Sequence, residues 1–299
     1  ALQSGRALLY DKHKIRPGIY RPFEKTWIYY DAMLNEVQYK THRLFDGVAP
    51  NPSITTMGDS TGKPFFSLII DQVPDYNFVS PGSGGTMTFA RHRYGPSGEK
   101  MDNITDWALN KFIAKYGRKG VTKDAIFDYV YAVLHDPIYR ETYALNLRRE
   151  FARIPFHKDF EEWTKLGKKL MSLHVGFGSV RPWPTKRVDE PLKRAKGTLP
   201  KPVLRSVADQ GLVLVDEDTR ITEIPTETWA YRLGNRSAID WVLDQHKQKT
   251  SRDTTIRENF EPYVFGDHKE AMIQLLAKVI RVSMETVEIT KGMRLIPRE

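Results

Sequence analysis

The sequence predicts an α+β fold with a β-rich N-terminal part, a central helical subdomain, and a C-terminal part that combines a hairpin with helices. Three observations predict it: aromatic and β-branched runs over residues 15–93, a helical apolar period over residues 101–180, and mixed patterns over residues 181–299. The 299 residues, 40% hydrophobic and 28% charged, suit one large or two ordinary packed domains. We therefore expect three segments, with boundaries near residues 100 and 180.

The pattern of the first hundred residues predicts strands and turns. Residues 15–30 mix aromatic and β-branched side chains with prolines such as Pro17, which belong at strand ends or edges because they cannot donate a ladder hydrogen bond. Residues 63–72 form a compact apolar run suited to a buried strand. A glycine-rich loop is expected at residues 81–85, followed by a short strand over residues 86–92.

Four helices are predicted in the central segment. Each starts at a residue that commonly caps a helix or at the first apolar position of a new period: Asn103, Thr122, Asp136 and Phe160. The third begins with Pro137, which suits the first turn, and is expected to run to about Phe151. This density of helices defines a helical subdomain.

Prolines and basic residues dominate the segment after the helices. Residues 181–205 contain five prolines, too many for a regular helix, so we expect a basic loop or extended arm that is mobile when free. The elements predicted beyond it are two hairpin strands, two helices and a terminal strand: residues 212–215, 219–224, 237–245, 268–280 and 286–289.

Positive charge is concentrated in the same proline-rich segment. The chain has 46 Lys and Arg against 37 Asp and Glu, and residues 181–206 hold 8 of the basic and 2 of the acidic side chains, which is +6 of the net +9. A focused basic segment favours a polyanion as partner, because neutralised phosphates release their counterions. A solvated linker with excess lysine is the alternative, and charge alone leaves both open.

Several classes of function are disfavoured by what the sequence lacks. It contains no cysteine, which excludes disulfides and Cys-ligated zinc, and its eight histidines include no His-x-x-x-His pair. It has no Walker loop, dinucleotide fingerprint or Gly-x-Ser-x-Gly elbow, and no apolar run long enough to cross a bilayer. We expect a cytoplasmic binding protein that does not act on membranes, with no metal site or cofactor of its own and no catalysis in isolation.

Four ordered segments of the chain resemble one family. They occupy residues 15–31, 129–140, 153–156 and 231–243. The first contains Ile-Arg-Pro-Gly-Ile-Tyr-Arg-Pro-Phe and then Trp-Ile-Tyr-Tyr-Asp, and the second is YVYAVLHDPIYR; the third and fourth are RIPF and YRLGNRSAIDWVL. These segments resemble single-polypeptide restriction–modification enzymes of the ATP-dependent type ISP group. The resemblance extends in order over nearly the whole chain.

The resemblance implies the C-terminal target recognition domain of a larger polypeptide that also contains a nuclease, a helicase-like ATPase and an adenine methyltransferase. Such a domain gives its enzyme sequence specificity on double-stranded DNA. AdoMet, ATP and Mg²⁺ are then expected for the parent polypeptide and none of them for this part. The methyltransferase domain of the same polypeptide is an expected partner, against which residues 1–100 would pack.

The candidate DNA contacts combine the basic segment with three arginines elsewhere. Phosphate contacts position a protein on DNA, whereas bidentate arginine is the favoured reader of guanine. The expected phosphate or groove contacts are Lys186, Arg187, Lys193, Arg194, Lys196, Lys201 and Arg205. The candidate base readers are Arg91, Arg93 and Arg236.

Two other functions stay open from the residues alone. Asp253, Asp267 and Lys269 resemble the sparse acidic-x-Lys signature of a divalent-metal nuclease, although Asp267 is better placed as a helix N-cap. Alternatively, the helical subdomain docks a protein partner and the basic segment is a spacer. Tyr129 and Tyr139, at near-helical spacing, are expected in the core rather than stacked on bases.

Overall fold

A computed structural model describes most of the chain: residues 9–35, 38–45, 50–58, 64–79, 85–248, 253–260 and 262–298. Its 39% helix and 22% strand confirm the predicted α+β class. The backbone forms two compact units, Ala1–Gly176 with Ile289–Glu299, and Phe177–Glu288. None of the helices in the described ranges has the length and apolar character that crossing a bilayer requires.

The first unit contains three small β-structures, and all of its helices except the short α1 follow them in the chain. Its strands are β1 (Ile15–Arg21), β2 (Glu24–Tyr29), β3 (Ser53–Met57), β4 (Ser67–Ile70), β5 (Val73–Pro74), β6 (Thr86–Ala90), β7 (His92–Tyr94) and β8 (Lys100–Asp102). They pair in the orders β2-β1-β5, β4-β3-β6 and β7-β8. β3 and β4 are buried along their whole length, so the predicted buried strand is confirmed as β4.

Pro17 lies in a middle strand rather than at the predicted edge. β1 pairs antiparallel with β2 along its length, but β5 joins it only at Gly18 and Ile19. Pro17 therefore has a ladder neighbour on the β2 side alone, where it faces Trp27, and its missing N–H costs no bond to β5. The predicted glycine loop lies outside the described residues, apart from Gly85.

The helices of the first unit are α1 (Thr41–Leu44), α2 (Asp106–Tyr116), α3 (Lys123–Val133), α4 (Pro137–Thr142) and α5 (Phe160–Val175). The four predicted helices are α2 to α5, and the N-caps of α3 and α4 are Thr122 and Asp136, as predicted. Thr105 caps α2 instead of Asn103, whose amide donates to the Ala90 carbonyl at 2.8 Å.

The third predicted helix is shorter than its apolar pattern indicates. α4 ends at Thr142, and a 3-10 turn over Asn146–Arg148 follows. The Leu147 N–H still donates to the Tyr143 carbonyl at 2.9 Å, so the apolar residues keep helical spacing although the helix is interrupted. Periodicity alone could not reveal the interruption.

Helices α3 and α5 pack against each other so closely that one position has no room for a side chain. A Cβ added at Gly167 would lie 1.8 Å from the backbone oxygen of Asp128 and 3.3 Å from the backbone nitrogen of Ala132. Trp163 and Leu170, on either side of this glycine in α5, are fully buried. Gly167 therefore sets the distance between the two helices.

The predicted tyrosines are core residues that also hold the chain after α4. Tyr129 is fully buried and Tyr139 is 4% exposed, which confirms the expectation. The Tyr129 hydroxyl donates to the Pro155 carbonyl at 2.7 Å, and the Tyr139 hydroxyl donates to the Arg153 carbonyl at 2.9 Å. Burial raises the pKa of Tyr139 to about 12. These bonds tie the RIPF segment to the helices before it.

A second buried polar group joins α3 to α5. The Tyr131 hydroxyl lies 2.6 Å from Nδ1 of His174 and accepts the Ile69 N–H at 2.9 Å. His135 places its Nδ1 2.8 Å from the Tyr131 carbonyl oxygen. Burial lowers the pKa of His174 from 6.5 to about 3 and lowers the pKa of His135 well below 6.5, because Arg140 and the apolar surroundings disfavour an imidazolium.

The second unit is built on a four-stranded antiparallel sheet, a two-stranded pair and three helices, the last of which ends in residues that belong to the first unit. Its elements are β9 (Lys186–Asp189), β10 (Pro202–Val207), β11 (Leu212–Asp216), β12 (Thr219–Thr222), β13 (Arg232–Leu233), β14 (Arg236–Ser237), α6 (Ala238–Gln245), α7 (Thr254–Asn259) and the long α8 (Phe265–Met293). The four-stranded sheet has the order β10-β11-β12-β9. The predicted hairpin, β11–β12, and the helix α6 are confirmed.

The proline-rich segment is not the mobile arm that its composition predicts. Both of its ends are strands of the sheet, β9 at one edge and β10 at the other. Leu204 of β10 is 3% exposed, so the segment contributes to the core. The correction has a physical reason: the strand that pairs with β9 lies about thirty residues further along the chain, beyond the reach of a local pattern.

The predicted terminal strand over residues 286–289 is part of α8. The hydroxyl of Ser283 donates to the Val279 carbonyl and that of Thr286 to the Val282 carbonyl, both at 2.7 Å. Bonds to the residue four positions earlier satisfy these hydroxyls inside a helix. Burial of Val287 and Ile289 in the core outweighs the preference of β-branched residues for strands.

We expect Gly167→Ala to lower the free energy of unfolding by about 1–3 kcal/mol, because the new methyl group would force α3 and α5 apart. Urea denaturation measures the change. Gly292→Ala is the matched control, since Gly292 is also helical and a Cβ there meets no atom within 4 Å. That variant should be unchanged or slightly more stable. Similar losses in both variants would contradict the close approach at Gly167.

We expect the chain to lose stability as the pH falls below 6.5, the unfolded-state pKa of His174. Below pH 6.5 the unfolded chain binds a proton at His174 that the folded chain accepts only near pH 3. Each buried neutral histidine of this kind therefore lowers the free energy of unfolding by up to about 1.4 kcal/mol for each pH unit. His174→Gln keeps an acceptor for the Tyr131 hydroxyl and should remove the part of the pH dependence of the unfolding free energy that His174 contributes. Equal slopes in the variant and the wild type, from urea denaturation at a series of pH values, would contradict a neutral buried His174.

Candidate nucleic-acid interface

The sheet of the second unit places the neighbours Lys186 and Arg187 on opposite faces. Arg187 lies opposite Ile221, which lies opposite Val213, and both of these apolar residues are buried. Lys186 lies opposite Thr222, one position further along β12. Because side chains alternate along a strand, Arg187 lies on the core face and Lys186 on the solvent face.

The solvent face of this sheet carries basic residues from three strands. Arg205 of β10 lies opposite Leu214, which lies opposite Arg220, which in turn lies opposite Val188 of β9. Arg205 is exposed, and the other three are partly exposed. The face therefore combines Lys186, Arg205 and Arg220 with half-buried apolar side chains.

Arg220 was missed by the sequence analysis, although the alternation of residues 219–222 is a signal for it. Its Nη1 and Nη2 donate to the two carboxylate oxygens of Glu190 at 2.8 and 2.7 Å. The hydrogen bond from Arg220 lowers the pKa of Glu190. The carboxylate balances part of the positive charge on this face.

On the core face, Arg187 and Lys269 join the β9–β12 edge to α8. Arg187 donates to Asp189 at 2.8 Å and to both carboxylate oxygens of Glu270 at 2.9 and 2.8 Å. Lys269 lies 2.7 Å from the buried Asp216 and donates to the Thr219 hydroxyl at 2.6 Å. Both cations therefore have structural partners, which makes Arg187 a weaker candidate for DNA contact than its sequence position indicates.

Residues 190–201, which we name the basic loop, are held by the acidic turn between β11 and β12. Arg194 donates to the two carboxylate oxygens of Asp218 at 2.6 and 2.7 Å and to Glu217 at 3.1 Å. The backbone N–H groups of Leu192 and Lys201 donate to Asp218 and Glu217 at 3.0 and 3.1 Å. The Arg194 side chain is only 15% exposed, and its hydrogen bond lowers the pKa of Asp218.

Four predicted contacts keep their cationic groups exposed. Lys193, Lys196 and Lys201 lie on the basic loop, and Arg205 lies at the edge of the sheet. Within the described ranges, no carboxylate forms an ion pair with any of these four side chains. Lys186 has a long contact of 3.8 Å with the equally exposed Glu223. These five cations remain available to an anion from outside.

The three candidate base readers occupy different environments. Arg91 pairs with Asp124 at 3.0 Å and with Asp128, and its guanidinium lies 4.7 Å from the centre of the Phe127 ring. Its side chain is 19% exposed and is held within the first unit by these carboxylates. Arg93 of β7 is exposed.

Arg236, in the second unit, combines exposure with a defined orientation. It lies 2.7 Å from Asp244 and 5.0 Å from the centre of the Trp241 ring, and its side chain is 39% exposed. The carboxylate and the ring orient its guanidinium without covering it. Arg236 is therefore better placed than Arg91 to contact a base edge.

The residues of the alternative nuclease site have structural roles. Asp253 caps α7, where it accepts the Ile256 N–H at 3.2 Å. Asp267 lies in the first turn of α8 rather than at its N-cap, because the helix already begins at Phe265. Among the residues described, no three or more histidine or acidic side chains are grouped to hold a metal ion.

The chain belongs to a known family of protein domains. The chain matches the Type ISP C-terminal specificity domain over residues 1–275 and belongs to that family. The resemblance stated from the four sequence segments is thereby confirmed. The comparison with curated proteins finds no match.

Three solved structures resemble the chain. It is 44% identical to DrdV, seen by cryo-EM in a complex with DNA, with a TM-score of 0.90 over 97% of this chain and 29% of DrdV. It is 25% identical to a nuclease-deletion mutant of the Type ISP restriction–modification enzyme LlaGI in complex with a DNA substrate mimic, with a TM-score of 0.74 over 98% of this chain and 26% of that protein.

The third structure is LlaBIII, an ATP-dependent Type ISP restriction–modification enzyme bound to DNA. It is 24% identical, with a TM-score of 0.77 over 98% of this chain and 19% of LlaBIII, and at this identity the likeness shows the fold alone. The chain spans less than a third of the length of each of these three proteins.

We expect Arg194→Gln to lower the melting temperature by several degrees, because Asp218 and Glu217 would lose the guanidinium that ties the basic loop to the sheet. Lys193→Gln, one residue away and exposed, is the matched control and should leave the melting temperature unchanged. Calorimetry of the two variants checks this difference. An unchanged melting temperature for Arg194→Gln would leave Arg194 free to be a DNA contact.

Proposed function

We propose that this chain is the target recognition domain of a longer restriction–modification polypeptide and that it binds double-stranded DNA sequence-specifically. The observation that carries the proposal is the surface formed by the basic loop and the solvent face of the sheet. Lys193, Lys196, Lys201 and Arg205 are exposed there without an ion-pair partner in the described parts of the chain. These cations are available to counterions from outside the chain, and the phosphates of DNA supply such counterions.

The proposed contacts divide by chemistry. The lysines act as point charges toward phosphates, which sets affinity and register without reading sequence. Arg205 is grouped with these phosphate contacts, whereas Arg93 and Arg236 are exposed or partly exposed and have the planar fork that fits guanine in the major groove. Arg187 and Arg194 support this surface through internal ion pairs instead, and Arg91 forms its ion pairs within the first unit.

The similarity to DrdV supports DNA as the partner. DrdV is 44% identical to this chain over almost all of it and was seen in a DNA complex. LlaGI, at 25% identity, was seen with a DNA substrate mimic. The rest of the longer polypeptide would supply an adenine methyltransferase and an ATP-dependent endonuclease, and with them the uses of AdoMet, ATP and Mg²⁺.

The N-terminal hairpin supports contact with the methyltransferase domain of the same polypeptide. Trp27 of β2 is 72% exposed and Tyr10, which stacks on Tyr29 at 5.9 Å, is 74% exposed. Large aromatic residues of this kind are enriched in protein interfaces. We assign this hairpin to the covalently linked domain and the basic surface to DNA.

The replacement of Lys193, Lys196, Lys201 and Arg205 together by Gln should weaken DNA binding and flatten its salt dependence. Each lost phosphate contact reduces the slope of log affinity against log salt by about 0.9, so four contacts account for up to about four units. Fluorescence anisotropy with a labelled duplex, at a series of salt concentrations, measures the slope.

A control for this experiment removes the same charge elsewhere. The control variant replaces four exposed lysines at or near α5 by Gln: Lys158, Lys165, Lys168 and Lys169. Its salt slope should stay close to that of the wild type. Equal slopes in both variants would make the basic loop a linker, and magnesium-dependent cleavage of the duplex by the wild-type chain would favour the nuclease alternative.

A further inference from the structure

Helix α2 of the first unit carries a row of exposed side chains that do not pack into the core. Trp107, Lys111 and Lys115 are spaced by four residues and therefore share one face of the helix. Trp107 is 71% exposed, and the Lys111 ammonium lies 5.7 Å from the centre of its ring. The opposite face packs Phe112, which is 7% exposed, into the aromatic core.

The turn after α2 extends this row with two more cations. Arg118 and Lys119 are exposed and stand between Gly117 and Gly120, whose φ angles are +82° and +77°. The Gly117 N–H closes α2 on the Ile113 carbonyl at 2.8 Å, and Thr122 caps α3 directly afterwards. The two glycines permit a tight turn that presents both side chains. We name Trp107, Lys111, Lys115, Arg118 and Lys119 the α2 stripe.

The four cations of the α2 stripe are not neutralised by any acidic side chain that the structure describes. In the parts of the chain that the structure describes, none of them forms an ion pair with a carboxylate. Two acids near the start of α2, Asp102 and Asp106, instead lie 3.8 and 2.7 Å from the Lys123 ammonium. Residues 107–122 contain these four cations and no acidic residue.

The like charges of the α2 stripe destabilise the fold. Lys111 and Lys115 repel each other because they are four residues apart on the same helix face. The exposed face of α5 shows the ordinary alternative, where Lys165 pairs with Glu161 at 2.9 Å. Exposed like charges along one line fit a ligand with a regular row of negative charges.

A duplex fits this row in size and chemistry. An eleven-residue helix is about 16 Å long, which matches several phosphates of one DNA strand at about 3.4 Å each along the axis. An acidic protein surface fits less well, because protein interfaces are depleted in lysine and this row has only one apolar residue. The tryptophan ring would pack beside the sugars while the cations contact phosphates.

We propose that the α2 stripe is a second DNA-binding surface, which contacts the sugar–phosphate backbone of the duplex without reading its sequence. The proposal rests on the proposed function, because that function makes DNA the partner. It assigns to the helical part of the first unit a share of the affinity that the sequence analysis assigned to the basic segment alone. Affinity for every duplex, rather than preference for one site, depends on it.

The test replaces Lys111, Lys115, Arg118 and Lys119 together by Gln, which keeps helix propensity in α2 and removes the charge. Anisotropy titrations use a duplex of arbitrary sequence at a series of salt concentrations. The salt slope should fall by about two to four units relative to the wild type. The α5 control variant, with Lys158, Lys165, Lys168 and Lys169 replaced, should keep the wild-type slope. Equal slopes for the two variants would overturn the proposal.

A second measurement needs no variant. Saturating duplex should protect Lys111, Lys115 and Lys119 of the wild-type chain from acetylation, as measured by mass spectrometry, while Lys168 and Lys169 react as before. Absence of protection at saturation overturns the proposal whether or not the variant folds.

The two proposals fail in different ways. If the wild-type chain binds DNA, the basic-loop variant loses slope and the α2-stripe variant does not, the further inference is wrong and the proposed function stands. If the wild-type chain does not bind a duplex even at low salt, both are wrong.

Discussion

The acidic turn between β11 and β12 organises the second unit. Asp216 binds Lys269 of α8 at 2.7 Å, and Asp218 and Glu217 bind Arg194 and the backbone of the basic loop. Three consecutive carboxylates thus hold a helix on one side and the loop on the other. Without them, a segment with +6 net charge and five prolines would repel itself and gain little from burial. The turn therefore makes an ordered surface from a sequence that is typical of disorder.

Charge in this domain is divided between arginines that build the structure and lysines that remain exposed. Arg91, Arg187 and Arg194 each bind two carboxylate groups, a task that suits the planar, multiply donating guanidinium. Lys193, Lys196 and Lys201 stay in solvent, where a flexible ammonium can follow a phosphate. Of the arginines proposed as base readers, Arg93 is exposed, and Arg236 is partly exposed and oriented by Asp244 and the Trp241 ring.

The segments that identify the family contribute more to the core of the domain than to the proposed DNA surface. In the YVYAVLHDPIYR segment, Tyr129 and Tyr139 hold the RIPF segment by hydrogen bonds to its backbone. Asp136 is buried and accepts two hydrogen bonds from Arg298, at 2.6 and 3.0 Å. These residues keep a polar core satisfied, which leaves little freedom for substitution. The surface residues proposed to meet DNA lie mostly outside these segments.

Local signals in the chain are sufficient for much of the fold. Helices α3, α5 and α6 and the β11–β12 hairpin follow from apolar periodicity and from Thr122, Asp159 and Ser237, whose side chains bond to the first turn of the helix that follows. The class of domain follows from ordered motifs. The composition gives the excess of positive charge after residue 181, but it does not show which of these cations are exposed.

Where that charge lies depends on contacts between residues distant in sequence. The pairing of β9 with β12 places Lys186 on the solvent face of the sheet and Arg187 on the core face. Arg194 donates a hydrogen bond to Asp218, which lies 24 residues later in the chain. The residues that were to form a terminal strand continue α8, because burial against the core outweighs their β-branched preference. Periodicity and capping act within a few residues, whereas ion pairs, strand partners and burial join positions that only folding brings together, and these decide which cations face solvent.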